Sequence, residues 1–331
     1  MTICVTGGAG YIGAHIVRLA ERAGHEVVVI DDLSYGDARR VGAARLVQLD
    51  LADTAEIPRL QAALDGCSAV VHVAGRKQVG ESVERPAWYY QQNVGGMANL
   101  LLAMQAQGVD RLVFSSSAAV YGQPPVDRVR EDIDKRPINP YGESKLVGEW
   151  MARDAARAWG LRVVNMRYFN VAGSGWDDLG DPAVLNLIPM VFQKLFEGRP
   201  PAVFGDDYPT PDGTCVRDYI HVVDIATAHM IALDYLERED RPFDAFNIGT
   251  GGGHSVRQVI ELVGEVSGLN TSPKIEPRRP GDPPVLIGDV DRIEQVFEWK
   301  AQHDLRSIVD SAWRAWQAAP KPVKAPLSNN P

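Results

Sequence analysis

The amino-acid sequence predicts an α/β protein in which a doubly wound parallel sheet is followed by a smaller C-terminal α/β domain. Three observations support this prediction. Strand-like apolar runs alternate with helical stretches through the first half of the chain, and a glycine-rich turn follows the first run. A break in this alternation follows Asn170. Such an alternation is typical of parallel sheets that carry helices on both faces.

The elements expected before this break can be read in order along the chain. The apolar runs predict strands at TICVTGG from Thr2, HEVVVID from His25, LVQLD up to Asp50, AVVHVAG up to Gly75, RLVFSSS up to Ser117 and LRVVNMRYFN up to Asn170. Helices are predicted at 12–23, 88–107 and 141–159.

A change of composition marks the expected domain boundary, because Gly, Asp and Pro become frequent just after the break. We expect residues 1–170 to form the first domain and residues 171–319 to form the second. The segment 218–238 has the pattern of a short strand and a helix, and we expect it to return to the first domain. Residues 320–331 are rich in Pro, Lys and Asn without an apolar period, which predicts a disordered tail.

Composition limits the classes of partner and compartment. The 331 residues are 45% apolar and 23% charged, which is ordinary for a globular protein, and the net charge is −9. An acidic chain has no overall field that attracts nucleic acid or anionic membranes, so neither partner is expected. Cys4, Cys67 and Cys215 lack the spacing of disulfide or metal motifs. We therefore expect reduced thiols, no metal site, no membrane span and no signal peptide, as in a cytoplasmic protein.

The glycine-rich turn GGAGYIG contains Gly7, Gly10 and Gly13 and lies between the first strand and the first helix. Glycines allow a tight turn and let backbone N–H groups approach a pyrophosphate, which then faces the positive end of the helix. A lone glycine pattern is a weak signal, but here it has the strand–turn–helix context that dinucleotide binding requires.

Asp31 ends the second predicted strand, 18 residues after Gly13. A carboxylate at this place accepts hydrogen bonds from the adenosine ribose hydroxyls and repels a 2′-phosphate, and Asp32 rather than an arginine follows it. The pattern therefore favours NAD over NADP. Asp50 at the end of the third strand is placed to reach the adenine, and Lys77 after the fourth strand is placed to reach a cofactor phosphate.

Tyr141 and Lys145 are the predicted catalytic pair, and their spacing of four places them on one face of a helix. A free tyrosine has a pKa near 10, but a neighbouring ammonium and a positively charged nicotinamide both favour the phenolate. Ser117 ends the fifth strand and is expected to hydrogen-bond the reacting hydroxyl and to relay its proton to Tyr141. One of the three serines at 115–117 is expected to be catalytic and the others structural.

Longer motifs give the chain a family resemblance over nearly all of residues 1–317. The chain resembles the extended short-chain dehydrogenase/reductase superfamily and, within it, the UDP-glucose 4-epimerases. The matching motifs are TGGAGYIG, VHVAGRKQVGESVERPAWYYQQNV, FSSSAAVYG, PYGESK, RYFNVAG, YPTPDGTCVRDYIHVVD and EPRRPGD.

The resemblance implies a Rossmann-like domain that binds NAD and a smaller domain that binds a UDP-hexose. It also implies inversion at C4 through a 4-keto sugar with Tyr141 as the base, and a homodimer formed through helices near 90–107 and 142–158. The implied cofactor contacts are Gly7, Gly10, Tyr11, Ile12, Gly13, Asp31, Asp32, Leu33, Ser34, Gly36, Asp50, Leu51, Val73, Ala74, Gly75, Lys77, Asn93, Ser115, Tyr141, Lys145, Tyr168 and Phe169. The implied substrate contacts are Lys77, Ser117, Tyr141, Asn170, Asn186, Leu187, Ala202, Phe204, Arg217, Tyr219, Arg279, Asp282 and Leu286.

The chemistry of these side chains agrees with the roles that the resemblance implies. Arg217 and Arg279 are suited to grip a diphosphate, Asp282 to bind the uridine ribose and Phe204 to cover the uracil. Leu286 stands where many relatives have a bulky Tyr that confines the pocket to plain hexoses, and its intermediate size leaves UDP-N-acetylglucosamine open as a substrate.

Other functions remain as alternatives. A UDP-glucuronate 4-epimerase or a decarboxylase shares the fold and the first chemical step. A 4,6-dehydratase is disfavoured, because it needs an acid where this chain has Ser117 followed by two alanines. A dinucleotide or sugar sensor without catalysis is expected to lack the Tyr141–Lys145 pair, which this chain retains.

Overall fold

The computed structural model describes residues 1–238, 243–279 and 281–319. The predicted tail at 320–331 lies outside these described residues. The strands are β1 (Thr2–Thr6), β2 (Glu26–Asp31), β3 (Arg45–Gln48), β4 (Ala69–His72), β5 (Arg111–Ser117), β6 (Arg128–Val129), β7 (Arg162–Tyr168), β8 (Asn170–Ala172), β9 (Ala202–Phe204), β10 (Val216–Arg217), β11 (Tyr219–His221), β12 (Phe243–Ile248), β13 (His254–Ser255), β14 (Lys274–Glu276) and β15 (Val285–Gly288).

The α-helices are α1 (Tyr11–Arg22), α2 (Ile57–Leu64), α3 (Val79–Glu84), α4 (Pro86–Tyr89), α5 (Gly96–Gln107), α6 (Pro140–Trp159), α7 (Leu187–Phe196), α8 (Val222–Arg238), α9 (Val256–Ser267), α10 (Asp291–Phe297) and α11 (Leu305–Ala318). Among the helices of the described residues, none combines the length and the apolar character needed to cross a membrane.

The large sheet is built from parallel strands in the order β12-β7-β5-β4-β1-β2-β3. The chain starts near the middle of this sheet and runs outward in both directions, with helices on both faces. This arrangement confirms the predicted fold class, an α/β protein with a Rossmann-like doubly wound sheet.

The central strand β1 shows why these apolar runs form buried strands. Ile3 and Val5 are fully buried in one apolar core with Ile16 of α1, whereas Cys4 between them is buried in a second core with Leu100 of α5. Successive side chains of a strand point to opposite faces, so a run that is apolar at every position is buried on both sides of the sheet.

The helix predicted at 88–107 differs from the observed structure. It is divided into α4, a π-helical turn at Tyr90–Gly95 and α5. The wider turn contains Asn93, whose side chain bonds inward to the backbone of Arg76 and to Ser144. Apolar periodicity does not reveal such a turn, which is frequent at functional sites. The other two predicted helices match α1 and α6 to within one residue at each end.

A smaller α/β part follows the large sheet. Its sheets are β13-β10-β15-β6, β11-β8 and β14-β9, and α7, α9 and α11 pack around its apolar core. The segment 218–238 forms β11 and α8, and α8 packs against α1 on the large sheet. The strand β12, which the sequence analysis had not assigned to the large sheet, forms one edge of it beside β7. The three cysteines are free and buried.

Candidate active site

A cleft lies where the parallel strands of the large sheet end. It is lined by Gly7 after β1, Asp31 at the end of β2, Val73 after β4, Ser115 near the end of β5 and Tyr168 at the end of β7. These are the carboxyl ends of the strands, the edge at which ligands bind in doubly wound sheets. The topology thus brings residues that are far apart in sequence to one surface.

The glycine turn keeps the centre of this cleft open. Gly7 has a φ of 70°, and a Cβ at this residue would lie 2.7 Å from the backbone nitrogen of Ala74. A Cβ at Gly13 would lie 2.1 Å from the carbonyl oxygen of Gly7. The helix α1 starts here without a side-chain cap from Gly10. Its first N–H groups therefore face the cleft, and this cradle fits a pyrophosphate.

Two neighbouring carboxylates differ in their surroundings. Asp31 is buried and accepts hydrogen bonds from the N–H groups of Ala9 (3.0 Å) and Leu33 (2.9 Å), and its burial raises its pKa despite these bonds. Partial burial also acts on Asp32, but hydrogen bonds from Ser34 and the charge of Arg76 outweigh it and hold the pKa of Asp32 below its ordinary value. Asp32 therefore stays ionised at the rim.

Most of the predicted cofactor residues line this one cleft. They are Gly7, Gly10, Tyr11, Ile12, Gly13, Asp31, Asp32, Ser34, Gly36, Asp50, Leu51, Val73, Ala74, Gly75, Lys77, Asn93, Ser115, Tyr141, Lys145 and Tyr168. Leu33 and Phe169 do not line it. Leu33 occupies a tight turn at φ 59°, and Phe169 is buried in a separate apolar cluster against Leu286.

The predicted catalytic residues lie next to one another at the end of β5. Asn139 caps α6 by accepting a hydrogen bond from the N–H of Gly142 at 2.9 Å, which fixes the helix start beside Tyr141. Tyr141 is hydrogen-bonded to Ser117, and Lys145 Nζ donates to the carbonyl oxygen of Ser115 at 2.8 Å. Both side chains of α6 are thereby held against the strand end.

Burial governs the ionisation of this pair. It raises the pKa of Tyr141, an effect that the hydrogen bond with Ser117 only partly offsets. It lowers the pKa of Lys145 to about 8. The direction for Tyr141 is opposite to the lowered pKa expected from the sequence, because removal from water disfavours the phenolate more strongly than the protein's own groups stabilise it.

A buried chain of hydrogen bonds leads from the end of β5 into α8. Ser115 Oγ is 2.6 Å from the Tyr168 hydroxyl, which is 2.5 Å from His229 Nε2. His229 Nδ1 is 2.8 Å from the carbonyl oxygen of Ile225, so Nδ1 carries the proton and Nε2 accepts. Burial lowers the pKa of His229 to about 4, which keeps the ring neutral. The Tyr168 hydroxyl therefore donates to His229 and accepts from Ser115.

A second group of predicted residues surrounds the smaller sheets. Arg217 Nη2 lies 3.6 Å from Asp282 Oδ1, and the Arg217 guanidinium donates to the carbonyl of Pro283 at 2.8 Å. The guanidinium of Arg279 lies 3.8 Å from the centre of the Phe204 ring. The smaller part thus carries two cations and an aromatic ring, groups suited to bind a nucleoside diphosphate.

The other predicted substrate residues have varied environments. Leu286 pairs in register with Arg217 on adjacent strands, whereas Tyr219 is buried in the small core. Asn186 donates to Asp181 at 2.7 Å and precedes Leu187, the first residue of α7. The remaining two, Asn170 and Ala202, begin β8 and β9.

The structure adds lining residues that sequence reasoning missed. Asp181, Pro182, Ala183 and Leu185 contribute to the cleft wall, as do Gln92 and His72. The loop before Asp181 had no interpretable pattern. It is fixed to α1 by a bidentate Arg18–Asp178 pair at 2.7 and 2.6 Å, and by Trp176, which lies against Arg18 and Arg22.

Comparisons with known proteins agree with this geometry. A family model described as the NAD dependent epimerase/dehydratase family matches residues 3–249. The chain is similar to the UDP-glucose 4-epimerase of Azospirillum brasilense, with 46% identity over 94% of this chain and 90% of the relative. It is similar to that of Corynebacterium glutamicum, with 43% identity over 95% of both chains.

Among solved structures, the chain is similar to a UDP-glucose 4-epimerase from Stenotrophomonas maltophila with bound NAD and formylated UDP-arabinopyranose. The TM-score is 0.90 and the identity 40%, and the match covers 96% of this chain and 98% of the other.

Proposed function

Because this chain belongs to the NAD dependent epimerase/dehydratase family, we propose that it inverts C4 of a UDP-hexose, interconverting UDP-glucose and UDP-galactose with NAD⁺. The observation that carries this proposal is the position of Tyr141 and Lys145 of α6 on the wall of the glycine-turn cleft, with Ser117 beside Tyr141 at the end of β5. The relatives named above are UDP-glucose 4-epimerases, which supports a neutral hexose over a hexuronate.

In this proposal the two parts of the chain have separate tasks. Residues 1–170, with 218–238, hold NAD⁺ through the residues that line the cleft, and residues 171–319 hold the UDP-sugar. The open cradle at Gly7 and Gly13 fits the pyrophosphate, and the buried Asp31 carboxylate fits the adenosine ribose. When bound, NAD⁺ supplies reversible oxidation at C4, so the sugar passes through a 4-ketose.

Tyr141 and Ser117 move the proton of the 4-hydroxyl in this proposal. Ser117 hydrogen-bonds the hydroxyl, and the Tyr141 phenolate accepts its proton and later returns it on the opposite face of the sugar. Lys145 is held at 2.8 Å from the Ser115 carbonyl, and in this proposal its positive charge stabilises the phenolate. The raised pKa of Tyr141 means that the phenol needs this charge and that of the nicotinamide to ionise near neutral pH.

The nucleotide end is held more firmly than the sugar. Arg217 and Arg279 bind the diphosphate, Phe204 covers the uracil and Asp282 binds the uridine ribose. The 4-ketose must rotate so that both of its faces meet the same reacting groups. Strong contacts on the hexose would oppose this rotation. Binding energy is therefore concentrated on the UDP moiety.

The substitution Tyr141→Phe tests the base assignment. Turnover of UDP-galactose is expected to fall by at least about a hundredfold, because the phenol oxygen that carries the proton is lost while the ring remains. Binding of NAD⁺ and UDP should persist. Tyr90→Phe is the matched control, since the Tyr90 hydroxyl bonds Glu143 and does not line the cleft. Near-normal turnover in Tyr141→Phe would refute the assignment.

Substrate class is tested by incubating the purified protein separately with UDP-galactose and UDP-glucuronate and resolving the products by chromatography. Conversion of UDP-galactose to UDP-glucose is expected. Conversion of the hexuronate in preference to the hexose would replace the proposed substrate.

We also propose that the protein is a cytoplasmic homodimer, with α5 and α6 at the contact. Leu102 on α5 is 55% exposed and Trp150 on α6 is 48% exposed, and such large apolar side chains favour a partner surface. Trp150→Glu is expected to yield a monomer in analytical ultracentrifugation. Phe196→Glu, at a residue of α7 that is 52% exposed, is the control and should leave the dimer intact. An unchanged mass for Trp150→Glu would place the contact elsewhere.

A further inference from the structure

Three separate segments meet at the rim of the cofactor cleft. They are the loop at 32–36 after β2, the loop at 75–78 after β4, and the helical turns at 88–95. The side chain of Arg76 lies among them and is only 14% exposed. Its backbone is fixed from the third segment, because the Arg76 N–H donates to Asn93 Oδ1 at 2.8 Å and its carbonyl accepts from Asn93 Nδ2 at 3.0 Å.

The Arg76 guanidinium connects these segments through hydrogen bonds. Nη2 donates to Asp32 Oδ2 at 2.7 Å and to Gln92 Oε1 at 3.0 Å, and Nε donates to the same Gln92 oxygen at 3.2 Å. Nη1 donates to Ser34 Oγ. One planar cation therefore satisfies acceptors on both sides of the rim, which the single ammonium of a lysine would not do with the same geometry.

Two aromatic rings add to this contact. The guanidinium carbon of Arg76 lies 5.4 Å from the centre of the Tyr35 ring and 5.2 Å from that of Trp88, distances typical of cation–π attraction. Tyr35 itself is 52% exposed. The 32–36 loop also has weaker long-range hydrogen bonds. Gln48 donates to the Asp32 carbonyl at 3.5 Å, and Gln78 donates to the Tyr35 hydroxyl at 3.5 Å. Arg76 is thus its strongest attachment to the facing rim.

We propose that Arg76 is a positioning residue that fastens the 32–36 loop to the opposite rim and thereby slows the departure of the dinucleotide. This inference rests on the proposed function, in which NAD⁺ is regenerated in every cycle and has no reason to leave. The Asp31 carboxylate at the base of the loop is the proposed ribose contact, so an unfastened loop would expose that end of the cofactor first. Arg76 does not contact Tyr141, Ser117 or Lys145, so the chemical step should not depend on it.

The test is the rate at which NAD⁺ leaves the holoprotein. Released NAD⁺ is converted to NADH by excess alcohol dehydrogenase with ethanol, and the NADH fluorescence is followed, which requires no epimerase activity. Arg76→Met is expected to release NAD⁺ about 10- to 100-fold faster than the unmodified protein, because charge-assisted bonds to Asp32 and Gln92 are lost. Arg76→Lys should release NAD⁺ at an intermediate rate, since an ammonium keeps the charge but cannot reach all the acceptors that the planar guanidinium reaches.

A matched control is available on the same surface. Arg85 lies 4.1 Å from the Trp88 ring and pairs with Glu81 at 3.4 Å, but its side chain is 53% exposed and makes no bond to the 32–36 loop. Arg85→Met should therefore release NAD⁺ at the unmodified rate. A double-mutant cycle of Arg76→Met with Asp32→Asn should show coupling, because both changes break the same bridge.

Turnover separates this role from a merely structural one. With added NAD⁺ in the assay, the turnover of Arg76→Met should rise and then saturate, whereas the turnover of a misfolded or distorted site would not respond to NAD⁺. Release from Arg76→Met at the unmodified rate, or equal acceleration in Arg85→Met, would overturn the inference while leaving the proposed function intact. A purified protein that yields no dinucleotide on denaturation would instead contradict the proposed function itself.

Discussion

Glu149 anchors the strand end beside the proposed catalytic groups, and its removal is expected to be among the most damaging single changes in the chain. It follows Tyr141 and Lys145 at the same spacing of four on α6. Its carboxylate accepts from Arg167 Nε at 2.9 Å, from Arg167 Nη2 at 2.7 Å and from Ser116 Oγ at 2.6 Å. Both charged side chains are only 4% exposed.

The expected loss in the free energy of unfolding follows from the charge that Glu149→Ala leaves unpaired. The Arg167 guanidinium would keep its bonds to the Tyr121 hydroxyl at 2.9 Å and the Glu131 carbonyl at 3.0 Å, but it would lose the one carboxylate that pairs with it in the described part of the chain. Removing one member of a buried ion pair leaves an uncompensated charge and costs about 3–5 kcal/mol. That is a large share of the roughly 5–15 kcal/mol by which a folded protein is stable.

Urea unfolding at pH 7, followed by tryptophan fluorescence, measures this loss in the free energy of unfolding. Asp132→Ala is the control, because Arg130 and Asp132 form a pair with side chains 69% and 73% exposed and should lose less than about 1 kcal/mol. The double variant Glu149→Leu with Arg167→Met should be more stable than Glu149→Ala, since it leaves no unpaired charge. A Glu149→Ala protein as stable as the Asp132→Ala control would refute the reasoning.

Two further predictions concern the cofactor cleft. Gly13→Ala should yield protein without bound NAD⁺, because the added Cβ would lie 2.1 Å from the Gly7 carbonyl oxygen. Gly80→Ala is the control and should retain NAD⁺, because its added Cβ meets nothing within 4 Å. The NAD⁺ content of both proteins is measured after denaturation. Burial lowers the pKa of Lys145 to about 8, so between there and its unfolded value of about 10.4 the unfolded chain binds more protons. The free energy of unfolding, measured in urea titrations relative to Lys145→Met, should therefore rise by about 3 kcal/mol as the pH increases through this window. A difference that stays constant with pH would contradict the lowered pKa of Lys145.

Much of the fold was accessible from sequence because buried parallel strands leave a strong signal. Runs that are apolar at every position, such as the one from Ile3 to Val5, occur only where both faces of a sheet are covered. The edge strand β12 escaped assignment because it follows β7 in space but lies some 80 residues beyond it in the chain. Periodicity reports local burial and says little about which distant strand is the neighbour.

Site residues could be predicted where they belong to motifs at strand ends. They could not be predicted where their position depends on contacts between residues that are distant in sequence. Gly7, Asp31 and Tyr141 lie in short patterns whose spacing reflects a local need of the chemistry. The Arg76–Asp32 bridge joins residues 44 positions apart, and many other arginines and acids offered equally good partners. The wall at 181–185 depends on the packing of Trp176 and Asp178 against α1, a tertiary contact without a local signature.

In the proposed function, the ionisation of Tyr141 links the end of β5 to the distant rim of the cleft. Burial shifts the pKa of Tyr141 upward and that of Lys145 downward, so removal from water favours the neutral form of each group. A neutral phenol is a poor base near pH 7, and the bond with Ser117 only partly offsets the burial. The further positive charge that Tyr141 needs belongs, in the proposed function, to the oxidised nicotinamide. If Arg76 keeps the dinucleotide in place, it also preserves the base in its active form, although it does not contact the phenol.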